Sequence, residues 1–270
     1  MKLQRLLNKV CLVTGSGRGI GRNIAFAMGR EGCIIALADI DSGRLDQVQA
    51  ELSKDGIAVD TFASDLSLKG ESHRLIQSVV NKFGRIDILV NNARGGKRLS
   101  FADESEDNWD LSLGVNLKSV FFLSQAVVSA MPDNGAIINI GSISGQLVSS
   151  ESPSYQISKA GILQLTRYLA VNSGGVRVNS VLPGFIVQDE HRHRYESNDS
   201  GQVNYRMVTD ELHPLGRGPG YSDDIANVVV FLASDEAKFI NGQAVIVDGG
   251  LSVQDPTKVF LEYALAKYEA

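Results

Sequence analysis

Disulfide scaffolding is the first thing this chain lacks. Two cysteines in 270 residues, Cys11 and Cys33, are too few for a cross-linked secreted fold. Both sit in short apolar runs that read as strands, so buried free thiols are expected, which suits a reducing, cytoplasmic setting. Excess basic charge is missing as well: 26 Lys and Arg face 31 Asp and Glu, for a net charge of -5. A nucleic-acid surface needs a clustered basic footprint, so no nucleic-acid partner is expected. No apolar run approaches the ~18 residues of a membrane span. The N-terminus has two early basic residues, but neither the apolar core nor the small-residue cleavage site of a signal peptide. Repeats, low-complexity tracts and linkers are absent too, while 43 % apolar residues are ample for a packed core. A soluble single domain over 1–270 is the expectation.

What is present is alternation. Short apolar runs over 10–13, 33–38, 57–62, 86–90, 136–140, 176–181 and 244–247 read as strands. Helical patterns over 19–30, 42–54, 69–83, 106–130, 155–171 and 222–232 fall between them. Runs such as Ile86-Asp87-Ile88-Leu89-Val90 are nearly continuous in apolar residues, as strands covered on both faces should be. The fold expected is α/β: a Rossmann-like, doubly wound parallel sheet of about seven strands with helices on both faces. The segment from about 185 to 220 departs from the pattern, being polar and irregular, and reads as a lid or binding loop.

Thr14-Gly15-Ser16-Gly17-Arg18-Gly19-Ile20-Gly21 follows the first strand and opens the first helix. Glycines there let the backbone approach a pyrophosphate, and the helix N-terminus stabilises its charge. Gly15, Ser16, Arg18, Gly19, Ile20 and Gly21 are therefore candidate cofactor residues. Asp39 ends the second strand about twenty residues later and is followed by Ile40. Its carboxylate would accept from a ribose 2′-hydroxyl and repel a 2′-phosphate, which favours NAD over NADP. Arg18 is the counter-indication, because a base in the loop could pair with that phosphate.

Tyr155 and Lys159 stand four residues apart, on one face of a helix. A fixed ammonium beside a phenol favours the phenolate, so the pair is suited to moving a proton in alcohol and ketone chemistry.

Taken with the glycine turn, Asn91-Asn92-Ala93, Asn116 and Ser142 in order before Tyr155 and Lys159, the chain resembles the short-chain dehydrogenase/reductase family from about 9 to 250. The resemblance implies that Tyr155 is the general acid/base. Lys159 would tune it and bind the nicotinamide ribose. Ser142 would hydrogen-bond the reacting oxygen, and Asn116 would hold a water that relays the proton. It places Asp65 and Leu66 at the adenine, Asn92 and Ala93 along the cofactor, and Pro183, Gly184 and Ile186 beside the nicotinamide. It also implies NAD-dependent interconversion of a secondary alcohol, such as a sugar or other polyol, with its ketone. A homotetramer or homodimer is implied, joined through the helices over 106–130 and 155–171 and at the last strand. An enoyl reductase of the same superfamily would space tyrosine and lysine more widely. A non-catalytic nucleotide-binding sensor or scaffold is the alternative from another class, and such a protein has no need of the proton path.

Departures from the family pattern mark the substrate side. Arg94 stands where the family usually has glycine, either outward in solvent or as an anion contact. Gln188 falls near the position where the family often has a threonine on the nicotinamide carboxamide. In the lid, His191, Arg192, His193, Arg194, Arg206, His213 and Arg217 could favour an anionic substrate, with Arg192 and Arg194 as candidate contacts. Interleaved acids, among them Asp189, Glu190 and Glu196, could pair with these bases instead. The His-x-His run lacks a ligand framework, so no metal is expected. The tail over about 251–270 runs past the family's usual end and carries an apolar stripe of helical spacing: Val259, Phe260, Tyr263, Ala264 and Leu265.

Overall fold

Strands without alternation need cover on both faces, and the chain supplies it. The computed structural model describes residues 4–188, 192, 212–216, 218–255 and 257. The main sheet uses β1 (Val10–Thr14), β2 (Ile34–Asp39), β3 (Val59–Ala63), β4 (Ile88–Asn91), β5 (Ala136–Ile140), β6 (Arg177–Pro183) and β9 (Ala244–Val247). These seven strands run parallel in the order β3-β2-β1-β4-β5-β6-β9. On one face, α1 (Gly19–Arg30), α2 (Ser42–Lys54) and α7 (Ser222–Ala233) bury Ile24, Met28, Leu45 and Val229. On the other, α3 (Glu71–Phe83), α5 (Ser119–Val128) and α6 (Pro153–Asn172) bury Leu75, Val79, Leu123 and Leu169. Winding from β1 outward reverses between β1 and β4, which opens a crevice at the carboxyl ends of the strands.

Cys11 in β1 and Cys33 just before β2 are buried and free, as expected. The third strand begins at Val59 instead of 57, because the Ile57 side chain packs on Gly29 of α1. The third helix begins at Glu71 instead of 69, because Gly70, at φ +84°, turns the chain into it.

The largest difference lies in the helix expected over 106–130. It is α4 (Glu106–Leu113), one wide π-helical turn at Gly114–Lys118, and then α5. Such turns recur at functional sites, and this one contains Asn116. The whole stretch, Glu106–Val128, is long and apolar enough by composition to cross a membrane. In the fold it is a covering layer, packed between α3 and α6. The two ends of the irregular segment over about 185–220 are joined by a feature absent from the expectation, a short parallel pair of β7 (Ile186–Val187) with β8 (Gly220–Tyr221).

Buried amides tie the crevice floor together. Asn91 of β4 donates to the Asn139 side chain of β5 at 2.9 Å, and Asn139 donates to the Thr166 hydroxyl of α6 at 3.0 Å. Ser180 of β6 donates to the Asn139 carbonyl at 2.9 Å. These bonds lock the strand ends laterally before any side chain is aimed into the crevice.

Candidate active site

A cavity of about 840 Å³ opens above the carboxyl ends of β1, β4, β5 and β6. Its first half is made of backbone. Gly15 has φ +63°, and a Cβ there would lie 2.7 Å from the Ala93 Cα. A Cβ on Gly21 would run into the Gly15 carbonyl and the Asn92 amide. Only glycine allows the β1–α1 turn to lie this close to the β4 loop. Asn92 then holds the turn through its side-chain amide, which donates to the carbonyls of Thr14 and Gly15 at 2.9 Å each. The Thr14 hydroxyl accepts from the backbone N–H of Asn92 and of Ala93 at 3.0 and 3.1 Å. Ser16 is buried and anchors the turn to β2 through the Ala38 carbonyl.

Arg18 precedes α1 without a capping side-chain hydrogen bond, and the first turn of α1 carries no acid. Helix N–H groups left this way are suited to a phosphate. Gly15, Arg18, Ile20, Gly21 and Asn92 line the cavity beside them. Asp39 and Ile40 line its far end, as the position after β2 predicts. The Asp39 carboxylate also accepts from the backbone of Gly17 at 3.0 Å and of Asp41 at 3.1 Å. It does not cap α2; Asp41 does, accepting from Arg44 N–H at 3.1 Å.

Asp65 and Leu66 are not among the cavity's lining residues. The Asp65 carboxylate accepts from the Ser67 N–H and hydroxyl at 3.0 and 2.7 Å, and Leu66 packs on the core.

The second half is made of side chains. Ser142, Tyr155 and Lys159 line the cavity together with Pro183, Gly184 and Ile186. Pro153 starts α6 two residues earlier than the sequence pattern suggested, so Tyr155 sits in the first turn. The Lys159 Nζ lies 5.6 Å from the Tyr155 ring centre and donates to the Ile140 carbonyl at 2.6 Å. Burial holds its pKa well below the usual lysine value, at about 7, and the Arg94 charge adds to that. For Tyr155 the sign is opposite to the expectation. Burial raises the phenol pKa, while the Arg94 charge and a hydrogen bond with Ser142 pull it down. The charge that lowers it, Arg94, is one the tyrosine–lysine spacing did not point to.

The Ser142 Oγ accepts from the Ser144 N–H at 3.1 Å, and Ser144 lines the same wall. Asn116 is buried, and its side chain is engaged with protein. It donates to the Gly95 carbonyl at 3.1 Å and the Ser112 hydroxyl at 3.0 Å, and accepts from the Gly95 N–H at 2.9 Å. Its observed part is therefore to clamp the loop after β4.

Arg94 is about half exposed to solvent, yet it is held on the cavity wall. Its guanidinium lies 4.4 Å over the Tyr155 ring and pairs with Glu151 at 2.8 Å. Sequence reasoning missed Glu151, together with Arg98, which bonds the Ser150 carbonyl at 3.0 Å. The unusual arginine after Asn-Asn-Ala was the only available signal for this cluster, since its acidic partner is 57 residues away.

Gln188 lines the cavity, and its amide faces Gly19 across the entrance to α1. The Arg192 guanidinium lies 4.2 Å over the Tyr221 ring, and Arg192 is not among the lining residues. His213 is buried next to Gly249. Arg194, Arg206, Arg217, His191 and His193 lie outside the described residues, as does the tail stripe over 259–265. Among the described residues no cluster of three or more His, Cys, Asp or Glu is placed to hold a metal.

Residues 15–252 match the family model described as Enoyl-(Acyl carrier protein) reductase. The chain is 35 % identical over 253 residues to 3-oxoacyl-[acyl-carrier-protein] reductase FabG of Thermotoga maritima, covering 92 % of this chain and 100 % of that one. It is 37 % identical over 255 residues to D-threitol dehydrogenase of Mycolicibacterium smegmatis, covering 93 % and 95 %. Among solved structures, gluconate 5-dehydrogenase from Burkholderia cenocepacia, in complex with NADP and tartrate, superposes with a TM-score of 0.81 at 29 % identity, over 94 % of this chain and 98 % of that one. The parallel sheet, the glycine turn under β1 and these relatives agree, and the chain belongs to the short-chain dehydrogenase/reductase family, oxidoreductases that work with a nicotinamide cofactor.

Proposed function

We propose that this protein interconverts a secondary alcohol and a ketone, with Tyr155 as the proton-transfer group and NAD as the preferred cofactor. The carrying observation is the convergence of Tyr155, Ser142 and Lys159 on the same cavity as the glycine turn and the uncapped start of α1. When bound, the nicotinamide supplies or accepts the hydride. Tyr155 gives its proton to the carbonyl oxygen in reduction and takes it back in oxidation. The Ser142 hydroxyl stabilises negative charge forming on that oxygen. Lys159 is anchored on the Ile140 carbonyl at the cavity floor, where it can reach a ribose hydroxyl. The raised phenol keeps its proton at neutral pH, which suits ketone reduction. Alcohol oxidation needs the phenolate, so its rate should climb as pH rises above neutrality.

Asp39 at the far end of the cavity supports NAD, while Arg18 and Arg44 on the same wall offer partners to a 2′-phosphate. The decisive experiment is a panel of polyols, sugars, hydroxy acids and 3-oxoacyl thioesters assayed with NAD(H) and NADP(H). Higher kcat/KM with NAD, and a roughly tenfold lower NAD-to-NADP ratio in Asp39→Ser, would support the reading. Equal or greater turnover with NADP would sink the cofactor preference. Because the matching family model is described as an enoyl reductase, enoyl thioesters belong in the panel. Turnover of those alone would replace the carbonyl reading. A homotetramer or homodimer is part of the proposal. It is supported by the exposed apolar side chains Leu111, Phe122, Ile157, Tyr168 and Val171 on α4, α5 and α6, and light scattering would test it.

A further inference from the structure

Arg94 lines the cavity beside Tyr155, and the structure gives it a definite place. Three constraints fix it. Asn116 takes both backbone groups of the next residue, Gly95, at 2.9 and 3.1 Å. Gly95 packs closely on the π-helical turn, where a Cβ added to it would lie 2.8 Å from the Val115 side chain. Glu151, just before α6, then holds the Arg94 guanidinium at 2.8 Å, over the Tyr155 ring at 4.4 Å. A planar guanidinium stacked on a phenol is attracted to the ring's negative face. That attraction strengthens when the phenol becomes a phenolate, because the ring then carries net charge.

The geometry points to Arg94 as a positioning residue for proton transfer. Clamped by Glu151 and by the loop that Asn116 holds, its charge stabilises the anion formed when Tyr155 releases its proton, and it sets the pH at which the site turns over. This rests on the reading of Tyr155 as the proton-transfer group. Among the described residues, the charged and titratable groups facing Tyr155 are Arg94 from the β4–α4 loop, Glu151 just before α6 and Lys159 within it. Ser142 adds a hydrogen bond from the end of β5. Arg98 lies behind, 3.9 Å from Glu151. Glu151 opposes Arg94 at the phenol, and the Lys159 charge is the weaker for its burial. Arg94 thus adds a positive charge at the phenol that the Tyr155/Lys159 spacing alone did not point to.

The test measures Tyr155 ionisation in two ways. Phenolate ultraviolet difference titration, with Tyr155→Phe as the blank, reads the phenol without any turnover. The pH profile of kcat/KM for alcohol oxidation reads it through catalysis. Arg94→Gln should move both midpoints up by about half to one pH unit, a roughly three- to tenfold loss of oxidation rate on the rising limb. Arg94→Lys, which keeps the charge but not the flat stack, should recover part of that shift. The proposal is overturned if the titration of Arg94→Gln is unmoved, or if its rate falls equally at every pH with the limb in place. A shifted titration without turnover of any substrate in the panel leaves the Arg94 contact standing and overturns the functional reading instead.

Discussion

The two halves of the cavity are held by different physics. The half under β1 and α1 is built from backbone and close approach. A Cβ on Gly15 would meet the Ala93 Cα, the space beside Gly21 is filled by the Gly15 carbonyl, and the Thr14 hydroxyl and Asn92 amide close the gap. The half under β5 and α6 is built from partly buried charge, with Arg94, Glu151 and Lys159 around one phenol. In the first, a single added methyl is excluded by volume. In the second, many side chains would fit, and what changes is where protons sit. The first half should therefore fail in binding and the second in pH dependence and rate.

The largest expected effect that would sharpen this contrast is Gly21→Ala. Its methyl meets the Gly15 carbonyl and the Asn92 amide, so the turn must open. Cofactor affinity, measured by calorimetry, should fall on the order of a hundredfold or more, for loss of about 3 kcal/mol of backbone contacts. Cofactor binding within a few-fold of the unmodified protein would break the comparison at its firmest point.

Lys159→Met comes next and should separate function from stability. Turnover should fall roughly tenfold to a hundredfold, while the Tm at neutral pH rises. Lys159 titrates at about 7 in the folded protein, against the ordinary lysine value when unfolded. The unfolded chain then binds more protons between those two values, so the lysine destabilises fully below about pH 7, and its penalty fades as pH rises toward ~10. The Tm gain of the methionine variant should shrink over that window. A gain that stays constant with pH would show that packing, not buried charge, causes it.

Asn116→Ala is the smallest. It removes the hydrogen bonds to Gly95 and Ser112, a loss of about 1–3 kcal/mol in denaturant unfolding. Because the loop carries Arg94, the oxidation limb should also move up, by less than in Arg94→Gln. A stability loss with an unmoved limb would confine Asn116 to the fold.

How much of this was legible in the sequence follows the same division. Periodicity gave the sheet and its covering helices, because continuous apolar runs such as Ile86-Asp87-Ile88-Leu89-Val90 have few other places to go. The glycine turn was legible for a similar reason, since contacts this close leave only glycine. The breaks in the pattern were not. Nothing in the apolar spacing of 106–130 marks the π-helical turn that directs Asn116 onto Gly95. The tyrosine–lysine spacing placed both groups correctly but gave the wrong sign for the phenol, because burial is a property of the packed cavity. Arg94 could be singled out as unusual, but its partner Glu151 lies in another loop, and no local pattern links the two. Asp65 and Leu66, placed at the adenine by resemblance, sit in a turn and half-buried against the core, outside the cavity's lining.

The most direct test of the central claim compares Tyr155→Phe with the unmodified protein in two assays on the same preparation: NAD affinity by calorimetry, and alcohol oxidation by NADH absorbance. Removing one hydroxyl from the charged half should leave affinity within a few-fold and reduce turnover on the order of a hundredfold or more. Near-normal turnover in Tyr155→Phe would contradict the account outright.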